Sequence, residues 1–311
     1  MYSNADVIIM VTKKNIDTLK MMIPYVKHNI SAGNTFVVAS KSLKTEIEKI
    51  PHVIFQDEDH VVEGMSFSAV AALMQEISGV TDRTGWYFQQ FLKLGWAYQC
   101  QNNYYIVIDA DTFPLNKIDF TNRQGQYLFT QKAEYNKPYF DTLYNLFDGT
   151  LVKQGDFSFV AEHMAFDCLI TKEMLKEIVS RDPERGNTFY SVILHSINKE
   201  VLLKSGFSEF ETYGTFVMTR YPQKAQLRRL RTLREAVYVL GDHPTEDQLS
   251  WAKNDYDIIS IESSCYSTAL TKLSQWEWFR KIFRLRTIAQ TRKKVRSIYR
   301  KILGKPDFIF D

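Results

Sequence analysis

Cysteine is scarce in this chain. Cys100, Cys168 and Cys265 are its only three; they stand far apart in sequence and are odd in number. That pattern excludes a disulfide framework and paired-thiolate metal spacing, and it predicts a reducing compartment. Long apolar runs are also missing. Val7–Val11 is too short for a signal or an anchor, Met1 to Asp6 carries no basic residue, and no other stretch is long enough to span a bilayer. The expected location is therefore cytoplasmic. Internal repeats and low-complexity segments are absent as well. Acidic residues disappear toward the C-terminus: from Arg280 to Lys305 there are eleven Lys or Arg and no Asp or Glu. The net charge of +3 is thus a property of the tail.

What is present is a core-forming composition. With 45% hydrophobic and 14% aromatic residues in 311 positions, the chain fits one large α/β domain or one domain with appended elements. Strands are expected at Val7–Val11, Thr35–Ala39, Val53–Phe55 and Tyr104–Ile108. Helices are expected at Ile16–His28 (bent near Pro24), Leu43–Ile50, Phe67–Ile77 and Trp86–Tyr98. This alternation predicts a mostly parallel sheet flanked by helices. Further on, Gln126–Thr130, Phe157–Ala161, Ala236–Leu240 and Asp257–Ile261 read as strands. Lys172–Val179 and Thr188–Ile197 read as helices, Asp182–Asn187 as a loop, and Ser274–Leu303 as a final helix peripheral to the core.

In such sheets ligands bind at the carboxyl ends of the strands. The Tyr104–Ile108 strand runs straight into Asp109-Ala110-Asp111-Thr112-Phe113-Pro114. Two carboxylates one residue apart suit a hard divalent cation, Mn²⁺ or Mg²⁺, which offsets the charge that builds on a departing diphosphate. Asp109 and Asp111 are the metal candidates, with Asp109 also reaching ribose. An Asp-x-Asp after a buried strand is also found in phosphohydrolases, where the first Asp is the nucleophile. Phe113 stands where that class carries Thr or Val, which disfavours the alternative.

The segment Gly85-Trp86-Tyr87-Phe88-Gln89-Gln90-Phe91-Leu92-Lys93-Leu94 leads into that strand. Helical spacing puts Trp86, Gln89 or Gln90, and Lys93 on one face. Lys93 is expected near phosphate, and the amides near ribose or sugar.

These two blocks, with Ser208-Glu209-Phe210-Glu211-Thr212-Tyr213-Gly214, resemble a bacterial GT-A-type glycosyltransferase family. That family accompanies capsule and lipopolysaccharide genes and is labelled only as of unknown function. The resemblance covers about residues 85 to 214. It implies a GT-A-like fold, a nucleotide-sugar donor, a divalent metal and a role in surface polysaccharide assembly, but supplies neither donor nor linkage; the expected reaction is hexosyl transfer from a UDP-linked donor to a growing surface glycan. Residues 1–273 would form the catalytic domain, with 1–125 the nucleotide-sugar half and 126–273 the acceptor-side half. Residues 274–311 would form a basic tail. A non-catalytic glycan-binding or scaffold protein is the alternative outside enzymes.

Within the third block, an inverting transfer needs a base, and Glu209 or Glu211 fits, with desolvation raising a carboxyl pKa. Glu209 is the first choice, and Tyr213 is a substrate-binding candidate. Glu162 and His163, set between apolar residues, are candidates for contact with donor sugar or acceptor. His243, in Gly241-Asp242-His243-Pro244, is a third metal-ligand candidate. The tail interleaves cations with Trp276, Trp278, Phe279 and Phe283, the composition of a helix on an anionic membrane surface. A lipid-linked acceptor would be found there. No motif points to nucleic acid.

Overall fold

The computed structural model describes residues 5–262 and 268–303. Cys265 and Lys305 lie outside the described residues. The described chain divides into two compact units. The first takes the described parts of 1–12, 32–109 and 120–228; the second takes those of 13–31, 110–119 and 229–311.

The first unit is built on a five-stranded sheet of β1 (Asp6–Met10), β2 (Thr35–Ala39), β3 (Ile54–Asp57), β4 (Tyr104–Ile108) and, later in the chain, His163–Asp167. β1 is buried along its whole length. After Asp6, its Val7–Met10 run is the continuous apolar stretch that a sheet covered on both faces demands. β1 pairs in parallel with β2 and with β4, and β2 pairs in parallel with β3. His163–Asp167 closes the edge antiparallel to β4, with Ile108 opposite His163. The chain therefore runs from β1 outward to β2 and β3, then returns to place β4 on the other side of β1. That reversal is a topological switch point.

The helix Thr84–Gly95 packs over this sheet, and the Tyr105 hydroxyl of β4 donates to the Lys93 carbonyl at 2.7 Å. The helix Glu209–Arg220 packs its aromatic side onto the His163–Asp167 strand, with Phe166 and Tyr213 ring centroids 4.5 Å apart. Gly214 has no Cβ for a physical reason: one would lie 2.4 Å from the Phe159 ring.

The second unit holds a smaller sheet. β5 (Thr112–Pro114) runs antiparallel to Ile258–Ser260, which pairs in parallel with Thr232–Leu233. The helix Ile16–Asn29 continues through Pro24, and Asn29 Nδ2 donates to the Pro114 carbonyl at 2.7 Å.

Several expected boundaries are corrected. Phe157–Ala161 forms no strand; the strand here is His163–Asp167, beginning two residues past Ala161 after Glu162 turns the chain at φ 57. Val237–Leu240 forms a short helix, not a strand, since a brief apolar run suits either when buried. The turn Pro183–Arg185 occupies the expected loop, and Leu43–Ile50 is only partly helical, over Lys44–Ile47. The single tail helix expected over Ser274–Leu303 is two, Glu277–Ile282 and Leu285–Ile302, preceded by a short helix at Ala269–Leu273. Nor is its start peripheral, because Phe279 and Leu285 are buried in the second unit. No helix among the described residues is long and apolar enough to cross a membrane.

Candidate active site

Asp109 is the first residue after β4, at the carboxyl end of the strand beside the switch point. Its backbone N–H donates to the Glu162 carbonyl at 2.9 Å, which fixes the end of the strand. The Lys93 ammonium lies 2.7 Å from Asp109 Oδ1 and 2.6 Å from Glu209 Oε1. It also sits 4.5 Å from the centroid of the Phe210 ring. Three positions far apart in sequence thus meet through one buried cation.

Local structure explains how. Lys93 lies in the last turn of the Thr84–Gly95 helix, and its carbonyl is held by Tyr105. Glu209 opens its own helix, where Ser208 caps the Glu211 N–H and Gln90 Oε1 accepts from the Glu209 N–H at 3.2 Å. A carboxylate is favourable at a helix N-terminus. Burial pulls the Lys93 pKa down, but Asp109 and Glu209 outweigh it and hold the ammonium above its ordinary value. Burial pushes the Glu209 carboxyl up; Lys93 opposes this and Asp109 adds to it.

The two carboxylates differ in access. The Asp109 side chain is 32% exposed, whereas that of Glu209 is 4% exposed. Asp109 therefore meets solvent while held in one orientation from behind. A general base has to reach its proton, and Glu209 is enclosed against Lys93. In this arrangement Glu209 positions Lys93, and Lys93 positions Asp109.

Glu211 is also buried. It accepts from the Ser158 hydroxyl at 2.6 Å and from the Phe159 N–H at 3.1 Å. Burial raises its carboxyl to about 7 despite these donors. A folded-state value above the ordinary 4.5 means that the folded protein holds this proton longer than the unfolded chain does. Its stability contribution is full below 4.5 and is lost as pH rises toward 7. Glu211→Gln should therefore gain on the wild type over that interval by up to about 3 kcal/mol. Urea unfolding of both proteins at pH 5 and pH 8 measures this, and equal differences at both pH values would refute it.

The other candidates are placed as follows. Gln90 is buried and also bonds the Trp86 carbonyl, a structural use. Trp86 and Gln89 stay partly accessible, and Arg83 stacks on the Trp86 ring at 4.5 Å. Glu162 is buried, with Lys132 Nζ 3.9 Å away. His163 meets the Thr130 hydroxyl at 3.0 Å, and burial, with Arg228 and Lys132, keeps its pKa well below the ordinary value, so it is neutral. Tyr213 is not brought to the site; it is a core residue whose hydroxyl accepts from the Asp167 N–H at 2.7 Å. In the second unit, Asp111 is partly exposed and its carbonyl accepts from the Ile261 N–H at 2.8 Å. His243, also in that unit, is exposed and within electrostatic reach of Asp17.

Sequence reasoning missed Lys132, Ser158 and the acidic run Asp57-Glu58-Asp59 at the carboxyl end of β3. Glu58 there is pushed up to about 7 by burial and by Asp59 and Asp57. Three consecutive acids after an apolar strand were the available signal.

A family described only as of unknown function (DUF6492) matches residues 15–146, less than half of the chain. The matched stretch contains Lys93, Asp109 and Asp111 and ends before Glu209. Among solved structures, the chain is similar to the apo WbbM bifunctional glycosyltransferase, at 10% identity and a TM-score of 0.43, over 85% of this chain and 47% of that one. It is also similar to the mannosyltransferase Ktr4p from S. cerevisiae, at 11% identity and a TM-score of 0.38, over 61% of this chain and 64% of that one. It spans less than two thirds of the length of either. No curated protein matches the chain.

Proposed function

We propose that this protein is a metal-assisted glycosyltransferase that moves a hexosyl group from a UDP-linked donor to a growing bacterial surface glycan. The observation that carries the reading is Asp109: a carboxylate at the carboxyl end of β4, at the switch point of the sheet, oriented by buried Lys93 and still open to solvent. That is where an α/β sheet of this order receives a nucleotide.

Among the described residues no three His, Cys, Asp or Glu gather as a ready cage. Asp109 and Asp111, two positions on, are hard oxygen donors and both keep solvent access. Each is the kind of donor that a divalent ion takes beside substrate phosphates and water. Asp109 and Asp111 would hold a Mn²⁺ or Mg²⁺, which would supply the positive charge that offsets a departing diphosphate. The chain's own part is to hold Asp109 fixed through Lys93 and Glu209, and to offer Trp86 and Gln89 as accessible groups for the donor's ring and hydroxyls. Metal and donor should therefore bind together, each weakly alone.

A thermal-shift series with UDP, UDP-sugars and Mn²⁺ tests this. The expected result is a rise of several degrees with UDP and Mn²⁺ together and little with either alone, as linkage requires. Release of inorganic phosphate from sugar phosphates, with no nucleotide-dependent shift, would instead establish a phosphohydrolase.

A further inference from the structure

The helix Leu285–Ile302 has two faces of opposite character. At 3.6 residues per turn, Ile288, Val295, Ile298, Tyr299 and Ile302 fall along one side. Arg286, Lys293, Lys294 and Lys301 fall along the other. The apolar side is not buried by the protein: Val295 is 61% exposed, Ile298 59%, Tyr299 62% and Ile302 75%. It continues into a groove of about 760 Å³ lined by Leu270, Phe279, Phe283, Ile288, Val295 and Tyr299. Trp276, Trp278 and Ile282 are exposed on the preceding segment.

The helix is nonetheless anchored. Leu285 is fully buried, the Arg286 N–H donates to Asp255 at 3.0 Å, and the Trp251 indole donates to the Phe283 carbonyl at 3.0 Å. Glu235 accepts from Arg292 at 2.8 Å and from Arg296, while the Arg292 guanidinium lies 3.7 Å from the Tyr238 ring centroid. The third side of the helix, between the other two, is thus fixed to the second unit. The apolar stripe is held outward in a defined orientation.

We infer that this face docks on an anionic lipid bilayer, with the stripe and the exposed tryptophans in the headgroup–acyl boundary. Charge selects this occupant. The described tail from Arg280 to Leu303 carries ten Lys or Arg and no acid. Apposing two copies would bring like charges together, whereas an anionic surface attracts the exposed Arg286, Lys293, Lys294 and Lys301. Basic residues on one face with aromatic and aliphatic residues on the other are the signature of an in-plane interfacial helix. Tryptophan at its edge suits the same boundary.

The test uses the full chain and co-sedimentation with vesicles. The expected result is binding to vesicles of phosphatidylcholine and phosphatidylglycerol in equal parts, weak binding to phosphatidylcholine alone, and loss of binding as salt rises from about 0.05 to 0.5 M. Val295→Asp with Ile302→Asp should abolish binding and leave the melting temperature unchanged, because both side chains are exposed. Lys294→Glu with Lys301→Glu should weaken binding about tenfold or more. Failure of the wild type to bind would overturn the inference, as would unchanged binding by the aspartate variant. So would a dimer that this variant converts to monomer without any vesicle binding, which would assign the face to a second copy.

Discussion

Lys93→Met should be the most destabilising single substitution at the candidate site, and its cost should grow with pH. The ammonium lies between the enclosed Glu209 and the half-open Asp109, 2.6 Å and 2.7 Å away. Removing one partner of a buried ion pair costs about 3–5 kcal/mol when the other stays charged. Glu209 can avoid part of that by taking up a proton, since burial already raises its pKa and Lys93 is the group that opposes the rise. With the folded value further above the unfolded one, the variant should lie close to wild type near the ordinary carboxyl pKa. It should fall away as pH rises toward neutrality. Adding Glu209→Gln removes the stranded charge and should recover much of the loss, a coupling that a double-mutant cycle reads directly. Thermal unfolding of the four proteins at pH 5 and pH 8 decides it. A Lys93→Met protein as stable as wild type at pH 8 would show that the cation is dispensable to the fold.

Asp111→Ala should leave a folded protein with almost no transferase activity. The Asp111 carbonyl accepts from Ile261 and the next residue belongs to β5, so the backbone there is held without the side chain. The Thr112 hydroxyl meets Ser260 at 3.0 Å and reinforces the same strand pair. Far-UV circular dichroism should therefore stay native. If Asp111 supplies an oxygen to the metal, its loss should lower kcat/KM by on the order of 10³-fold, the scale of removing one electrostatic stabiliser of a transition state. The joint stabilisation by UDP and Mn²⁺ should vanish with it. Full turnover by well-folded Asp111→Ala would end the metal reading. Retained UDP and Mn²⁺ stabilisation with lost turnover would move Asp111 from metal to substrate.

Much of the first unit was legible because its signals are local. β2 and β4 fall on the expected residues, and β1 and β3 within two, since an apolar run bounded by polar turns marks a buried strand wherever its partners lie. The position of Asp109 at the end of β4 follows from the same logic. The ion-pair chain does not, because Lys93 and Glu209 are 116 residues apart and nothing in either segment names the other. The expectation that Lys93 lies near phosphate rests on its own segment alone; in the structure its ammonium pairs with two carboxylates. Tyr213 was drawn into the site by its polar neighbours, although its hydroxyl satisfies a backbone N–H inside the core. In the tail, helical periodicity runs past Phe283 and Arg284. What breaks it there is tertiary, with Phe279 and Leu285 buried on either side of the break.

The interleaving of the two units bears on synthesis. The chain passes between them five times, at 12/13, 31/32, 109/110, 119/120 and 228/229. The helix Ile16–Asn29 belongs with the small sheet that Ile258–Ser260 completes. A ribosome adding roughly 5–20 residues per second makes that helix wait on the order of 10–50 s for its last partner strand. During that interval Leu19, Met22, Ile23 and Val26, all buried in the finished protein, have no completed core to enter. Productive expression should therefore respond more strongly to chaperone supply and to slowed growth than the same length divided into two sequential domains would.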